Sequence, residues 1–163
     1  ASCEKAGLKC RFVLHPDFHG HRDAKAGNHR PGDPPTDPET ARREQEYREV
    51  LFDSRLTICA QSIRGVIRYR FFEACSAARI PVLIGDDYII PFAEKRPWGM
   101  FFPECASKDA DRVGEQLAVW LKDRSDEEII ATGRLLQALY RRYWHKDAHP
   151  SLLAEAVRER LGF

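Results

Sequence analysis

Arg55 to Ile84 read RLTICAQSIRGVIRYRFFEACSAARIPVLI, and this stretch decides the fold class. Arg55–Cys59 (RLTIC) is a short, β-rich run and predicts a strand. Gln61–Ile67 carries Gly65 and predicts a loop. Tyr69–Ala78 (YRFFEACSAA) predicts a helix whose apolar face includes Phe72, Cys75 and Ser76. Ile80–Ile84 (IPVLI) is apolar throughout, as a strand buried on both faces of a parallel sheet must be. Strand, helix and strand in this succession make a βαβ unit, with a right-handed crossover expected. The fold class is therefore α/β, a Rossmann-like parallel sheet with helices on both faces.

Upstream, Pro38–Phe52 turns from charged to apolar at Tyr47, Val50 and Leu51, which suits a surface helix opening near Thr36 or Asp37. His15–Pro38 holds five prolines, three glycines and four histidines, and residues 15–38 predict one long loop. Cys10–Leu14 (CRFVL) predicts a further strand. Downstream, Gly85–Tyr88 is a loop, and Trp98–Pro103 is a short apolar piece with strand character. Lys108–Lys122 predicts an amphipathic helix with Val113, Leu117, Val119, Trp120 and Leu121 inward. Ser125 with Glu128 spells a capping box, opening a helix that runs to about Tyr143. Pro150 opens a last helix ending near Gly162, so residues 144–163 form a helical tail on a single domain spanning 1–163.

In an open α/β sheet, ligands bind outside the carboxyl ends of the strands. Two loops lie there, Gln61–Arg68 and Gly85–Tyr88. The first leads into a helix N-terminus, whose free N–H groups and positive dipole suit a phosphate. Gly65 lets backbone approach a ligand closely, and Arg64, Arg68 and Arg70 crowd the same place. Glu73 lies one helical turn after Arg70, on the same face, where an acid can accept from sugar hydroxyls. The plainer alternative is a solvated arginine patch with an ordinary Arg70–Glu73 surface pair.

Tyr47 to Phe92, YREVLFDSRLTICAQSIRGVIRYRFFEACSAARIPVLIGDDYIIPF, resembles the exostosin-type glycosyltransferases (glycosyltransferase family 47). The likeness runs through Ser54, Leu56, Cys59, Arg70, Phe72, Glu73, Ala74, Ile80, Pro81, Val82, Asp87, Tyr88, Pro91, Phe92, Trp98 and Phe101. The ending YRRYWHKDAHPSLLAEAV is also similar to that family's. The resemblance implies the C-terminal, donor-binding lobe of a two-lobed (GT-B) enzyme that moves a sugar from a nucleotide diphosphate to a glycan or other acceptor. It implies that Arg70 contacts the diphosphate, Glu73 holds the ribose hydroxyls, and Asp86 or Asp87 faces the donor. With Gly65 and Arg68 these make the expected substrate-binding set. The resemblance further implies a UDP- or GDP-linked donor as substrate, no metal or other cofactor, and a missing N-terminal lobe as partner. It assigns no catalytic residue. Three positions depart from the family's pattern. Gln61 and Ile63 replace a Pro and a Gly, Arg68 replaces a small hydroxyl residue, and Ala78 replaces a glycine before IPV. The rival reading is a non-catalytic or degenerate α/β module that binds a nucleotide or a protein partner.

The 163 residues are 43% hydrophobic and 31% charged, enough for one core without disulfide or metal support. Lys plus Arg number 26 against 25 Asp plus Glu, so net charge does not drive nucleic-acid or membrane binding. Among the cations 19 are Arg and 7 are Lys, a bias that suits phosphate and carboxylate recognition and that GC-rich coding also produces. His15, His19 and His21 with Asp17 and Asp23 are metal-ligand types, but in no standard spacing, and His29 and Arg30 are candidate cleft contacts. Neither a Walker-type phosphate loop nor a Gly-x-Ser-x-Gly elbow occurs. Tyr140, Tyr143 and Trp144 read as core aromatics rather than a base-stacking platform. Five cysteines lack any CxxC pair; Cys10, Cys59 and Cys75 read as buried, and Cys3 and Cys105 as free or paired. The chain opens on Ala rather than Met, which suggests a fragment or processed chain, and ASCEKAGLKC lacks the apolar core of a secretory signal. The compartment stays open, Golgi lumen for a eukaryotic member and cytoplasm for a bacterial one.

Overall fold

The computed structural model describes residues 2–11, 38–61, 63–92 and 101–162. The expected loop over 15–38, apart from Pro38, which opens a helix, lies outside them, as do its histidine cluster and residues 93–100. Among the described residues the elements are α1 (Ser2–Lys5), α2 (Pro38–Asp53), β1 (Leu56–Ala60), α3 (Tyr69–Ser76), β2 (Ile80–Ile84) and β3 (Glu104–Cys105). A 3₁₀ turn (Ser107–Arg112), α4 (Val113–Lys122), α5 (Asp126–Tyr143), a second 3₁₀ turn (Lys146–Ala148) and α6 (His149–Leu161) complete the order.

The sheet is parallel, in the order β1-β2-β3, with β1 and β2 in register from Leu56↔Ile80 to Ala60↔Ile84. Helices cover both faces, as the α/β reading requires. The reason lies in the pleat: alternate side chains of each strand point to opposite faces. Cys59 and Leu83 face α3 and α5, where Phe71, Cys75, Leu136, Leu139, Tyr143 and Trp144 complete a core. Val82, with Leu56, Ile58 and Ile84 beside it, faces α1 and α4, where Cys3, Val113 and Leu117 complete a second.

Phe71 is the centre of the larger core, with its ring edge-on to Phe72, Phe102 and Trp144. The sequence pattern assigned the inward face to Phe72, Cys75 and Ser76, but Phe71, Ala74 and Cys75 are the buried residues. Both faces of this short helix are apolar enough to pack, and the position of α5 chose between them. Trp144 also donates its indole N–H to the Pro91 carbonyl at 3.1 Å, which gives its polar edge a partner inside the core. Tyr143 and Trp144 are buried, in keeping with the core reading.

α5 begins with the capping box: Glu128 N–H donates to Ser125 Oγ and Ser125 N–H donates to the Glu128 carboxylate. α6 ends at Gly162 in the left-handed conformation, where glycine carries no Cβ penalty.

Three expectations are corrected, and a fourth, the Cys10–Leu14 strand, falls mostly outside the described residues. Among the described residues the third strand is Glu104–Cys105, which Leu83 and Ile84 pair with, and Phe101–Pro103 are not strand; residues 98–100 of the expected Trp98–Pro103 piece lie outside the described residues. Phe102 spends its side chain on the core instead. Val119 is 72% exposed, since the stripe that packs on the sheet runs through Val113 and Leu117. Cys10 and Arg11 have no strand pairing, and the rest of that expected strand is outside the described residues. Helix α3 stops at Ser76, two residues short, because Ala78 turns left-handed with φ +58° and reverses the chain into β2.

Candidate functional site

The carboxyl ends of β1 and β2 carry the loops 61–68 and 85–88, and three contacts tie them together. The Gln61 side chain donates to the Asp86 carbonyl at 2.9 Å and accepts from the Asp86 N–H at 2.8 Å. Arg64 Nε donates to Asp87 Oδ2 at 2.6 Å. Ile89 N–H donates to the Gly65 carbonyl at 3.3 Å. Gly65 sits at φ +77° and Asp87 at φ +53°, so both loops turn through backbone that glycine tolerates best. A Cβ on Gly65 would stand 3.6 Å from the Asp87 carbonyl, ordinary contact, so the demand for glycine here is conformational rather than steric.

The two acids of the second loop are thus spoken for. Asp87 pairs with Arg64 at the exposed rim. Asp86 accepts from Ser107 N–H at 3.1 Å, and that bond pulls its carboxyl below the usual aspartate range. Tyr88 turns back under the sheet edge, donating to the Ile84 carbonyl at 2.7 Å with the Cys59 carbonyl 3.2 Å away. Burial raises its phenol to about 12. Gln61 is one of the departures from the exostosin pattern, and its amide does the work of holding the loops in register.

Arg68 is extended (φ −83°, ψ 154°) and occupies the N-cap of α3 without a side-chain cap. Arg70 and Glu73 follow on one face, with Arg70 Nη1 3.4 Å from Glu73 Oε2. Their side chains are 37% and 38% exposed, and an i,i+3 pair of this kind is also what the plainer surface-pair reading expects. Tyr47, from α2, completes it. The Tyr47 hydroxyl donates to Glu73 Oε2 at 2.8 Å, and the Arg70 guanidinium lies 4.0 Å from the centre of the Tyr47 ring. Burial pushes the Tyr47 phenol well above the ordinary tyrosine range, so it is a hydrogen-bond donor at any physiological pH.

Glu73 Oε2 takes both contacts, and among the described residues Oε1 accepts no hydrogen bond. The pair therefore presents an anchored cation and an acceptor oxygen on the first two turns of α3. Cys59, at the end of β1, feels the charges of both Arg70 and Glu73, and burial lifts its thiol to about 12. Of the expected residues, Arg70 and Glu73 are brought together, Gly65 lies against Asp87, and Asp86 sits beside them in the Gln61 tie. Arg68 stands at the helix entrance. Tyr47 was legible only as an apolar position of a surface helix; 26 residues separate it from Glu73, and no local spacing rule joins them.

A parallel sheet with a helix N-terminus and paired Arg and Glu at its carboxyl edge defines the class: an α/β fold with a candidate anion and polyol site. No family model matches the chain. Two curated proteins are similar to it. A probable glucuronosyltransferase of Oryza sativa subsp. japonica is 32% identical over 83 residues, which is 50% of this chain and 19% of that protein. Exostosin-1b of Danio rerio is 25% identical over 129 residues, 78% of this chain and 15% of that protein. The chain spans less than a fifth of either relative's length. It is a distant relative of proteins of the glycosyltransferase and exostosin kind.

Proposed function

We propose that this chain is the donor-binding lobe of an exostosin-like glycosyltransferase. It takes a UDP- or GDP-linked sugar as substrate and works with a second lobe of the same parent protein, which holds the glycan or other acceptor. The observation that carries this reading is the Tyr47–Arg70–Glu73 cluster on the first two turns of the helix that follows β1. Arg70 and the helix N-terminus supply the positive charge that the diphosphate needs as the glycosidic bond breaks. Glu73 Oε1 accepts from the ribose hydroxyls while Tyr47 and Arg70 hold the carboxylate in place. Gly65 and Arg68 line the entrance, and Asp86 and Asp87 shape the opposite loop. In this mechanism charge stabilisation comes from protein groups, without a metal.

Calorimetric titration with UDP and with GDP tests the reading. Saturable binding that disappears in Arg70→Ala supports a donor site at this helix. Absence of binding to either nucleotide by the folded parent protein overturns it.

The second reading, a non-catalytic module, draws on the Arg64–Asp87 pair, which takes one arginine of the loop away from phosphate. Sugar release or transfer from a labelled nucleotide sugar by the parent protein separates the two.

A further inference from the structure

Tyr69 opens α3 and is 68% exposed, while Phe71 and Phe72 of the same helix spend their rings on the core. It is not among the positions that carry the exostosin likeness. Among the described residues its ring stacks on no other ring and its hydroxyl has no hydrogen-bond partner. The loops at the mouth of α3 are apolar and equally bare. Ile63, Val66 and Ile89 are all exposed. Val66 N–H donates to the Ile63 carbonyl at 3.1 Å, and Ile89 N–H to the Gly65 carbonyl at 3.3 Å, so the three belong to one folded edge. Large apolar side chains left exposed as a group, rather than singly, mark a contact surface.

Helical geometry relates Tyr69 to the Tyr47–Arg70–Glu73 cluster. With 3.6 residues per turn, Glu73 lies on the surface of α3 between Tyr69 and Arg70, about 40° from the first and about 60° from the second. Both are its neighbours, Tyr69 at four residues and Arg70 at three. Tyr47 occupies the Arg70 side, with its ring against the guanidinium. Tyr69 flanks the other side, in solvent. A nucleoside diphosphate has the same order of groups. Its diphosphate leaves the ribose at C5′, its base leaves at C1′, and the ribose hydroxyls lie between them on the far edge of the sugar. A ribose seated on Glu73 with its diphosphate toward Arg70 therefore turns its base toward Tyr69.

We infer that Tyr69 is the platform on which the base of the nucleoside diphosphate stacks, with Ile63, Val66 and Ile89 as the apolar surface beside it; this rests on the donor-site reading above. Stacking uses the face of the ring, and every base has a π-face, so Tyr69 supplies affinity for the base without reading its edge.

The parent protein, as wild type, Tyr69→Ala and Tyr69→Phe, is titrated calorimetrically with UDP, with GDP and with ribose 5-diphosphate, which lacks a base. The expected result is about tenfold weaker nucleotide binding in Tyr69→Ala, within the range that loss of one stacked base produces. Tyr69→Phe keeps the ring and binds as the wild type does. Ribose 5-diphosphate binds wild type and Tyr69→Ala equally. Wild-type nucleotide affinity in Tyr69→Ala, with Arg70→Ala still losing it, overturns the inference and leaves the donor site standing. Equal losses in Tyr69→Ala and Tyr69→Phe overturn it by assigning the effect to the hydroxyl. An equal loss of ribose 5-diphosphate overturns it by assigning the effect to the sugar-phosphate end. Failure of the wild type to bind either nucleotide removes the donor-site reading itself, and this inference with it.

Discussion

The Tyr47 hydroxyl lies 2.8 Å from Glu73 Oε2, and this one hydrogen bond joins α2 to α3 across 26 residues of chain. It fixes a half-exposed carboxylate that would otherwise swing freely beside Arg70. Through it, a helix that contributes no other residue to the candidate site sets the direction of the acceptor oxygen.

Replacing Tyr47 by Phe removes the hydroxyl and keeps the ring under Arg70. A hydrogen bond to a charged group contributes about 1.5–3 kcal/mol net, and this one is partly screened, so the lower end is expected. Urea unfolding of Tyr47→Phe should show that loss, with an unchanged m-value. If Glu73 holds the nucleoside, the same variant also weakens UDP or GDP affinity.

Glu73→Ala should reduce nucleotide affinity by about 1–3 kcal/mol, since the lost bonds to ribose are charge-assisted. Calorimetry on a variant shown to be folded by circular dichroism is the measurement. Affinity equal to the wild type's would remove Glu73 from the site.

Gly133, in α5, and Ala78 form a steric lock. A Cβ at Gly133 would stand 2.2 Å from the Ala78 carbonyl oxygen and 3.0 Å from its carbon, both backbone atoms. Gly133→Ala must push α5 off the turn, at a cost of about 1–3 kcal/mol or more. Ala78→Gly should act in the opposite sense. Left-handed backbone costs an alanine about 1–2 kcal/mol, of which the freer unfolded glycine gives back roughly half. Denaturant midpoints should fall for the first variant and rise modestly for the second.

Alkali should unfold the protein through its buried thiol and phenol groups. Cys59 is raised from 9.0 to about 12, and Tyr88 from 10.0 to about 12, both first of all by burial. A raised folded-state pKa means that the unfolded chain loses its proton first. Stability is therefore complete below pH 9 and declines between pH 9 and pH 12. Unfolding midpoints measured across that window should fall steadily. At pH 8 Cys59 and Cys75 should react with a thiol reagent only after denaturation.

Much of the fold was legible because its signals are local. The β1–α3–β2 unit shows in apolar runs of the right length, and α5 starts where Ser125 and Glu128 reciprocate over three residues. α6 starts at His149, beside the proline that marks it, and stops before a left-handed glycine. The candidate site was half legible. Arg70 and Glu73 share a face by helical spacing alone, whereas the roles of Asp86 and Asp87 depended on Gln61 and Arg64, more than twenty residues earlier. The third strand was misplaced because a two-residue strand carries no periodicity. Its position is set by the edge that β2 leaves open.

By itself, the sequence determined what a few neighbouring residues can decide: which runs are helix or strand, where they are capped, and that a cationic and an acidic group share one face of α3. Tertiary structure alone decided that Phe71 rather than Phe72 is the hub, that Tyr47 orients Glu73, and that Ala78 accepts a strained turn against Gly133. The physical reason is range. Propensity, capping and periodicity act within about one or two turns of chain, while packing and hydrogen bonding join residues that only the closed core brings within reach.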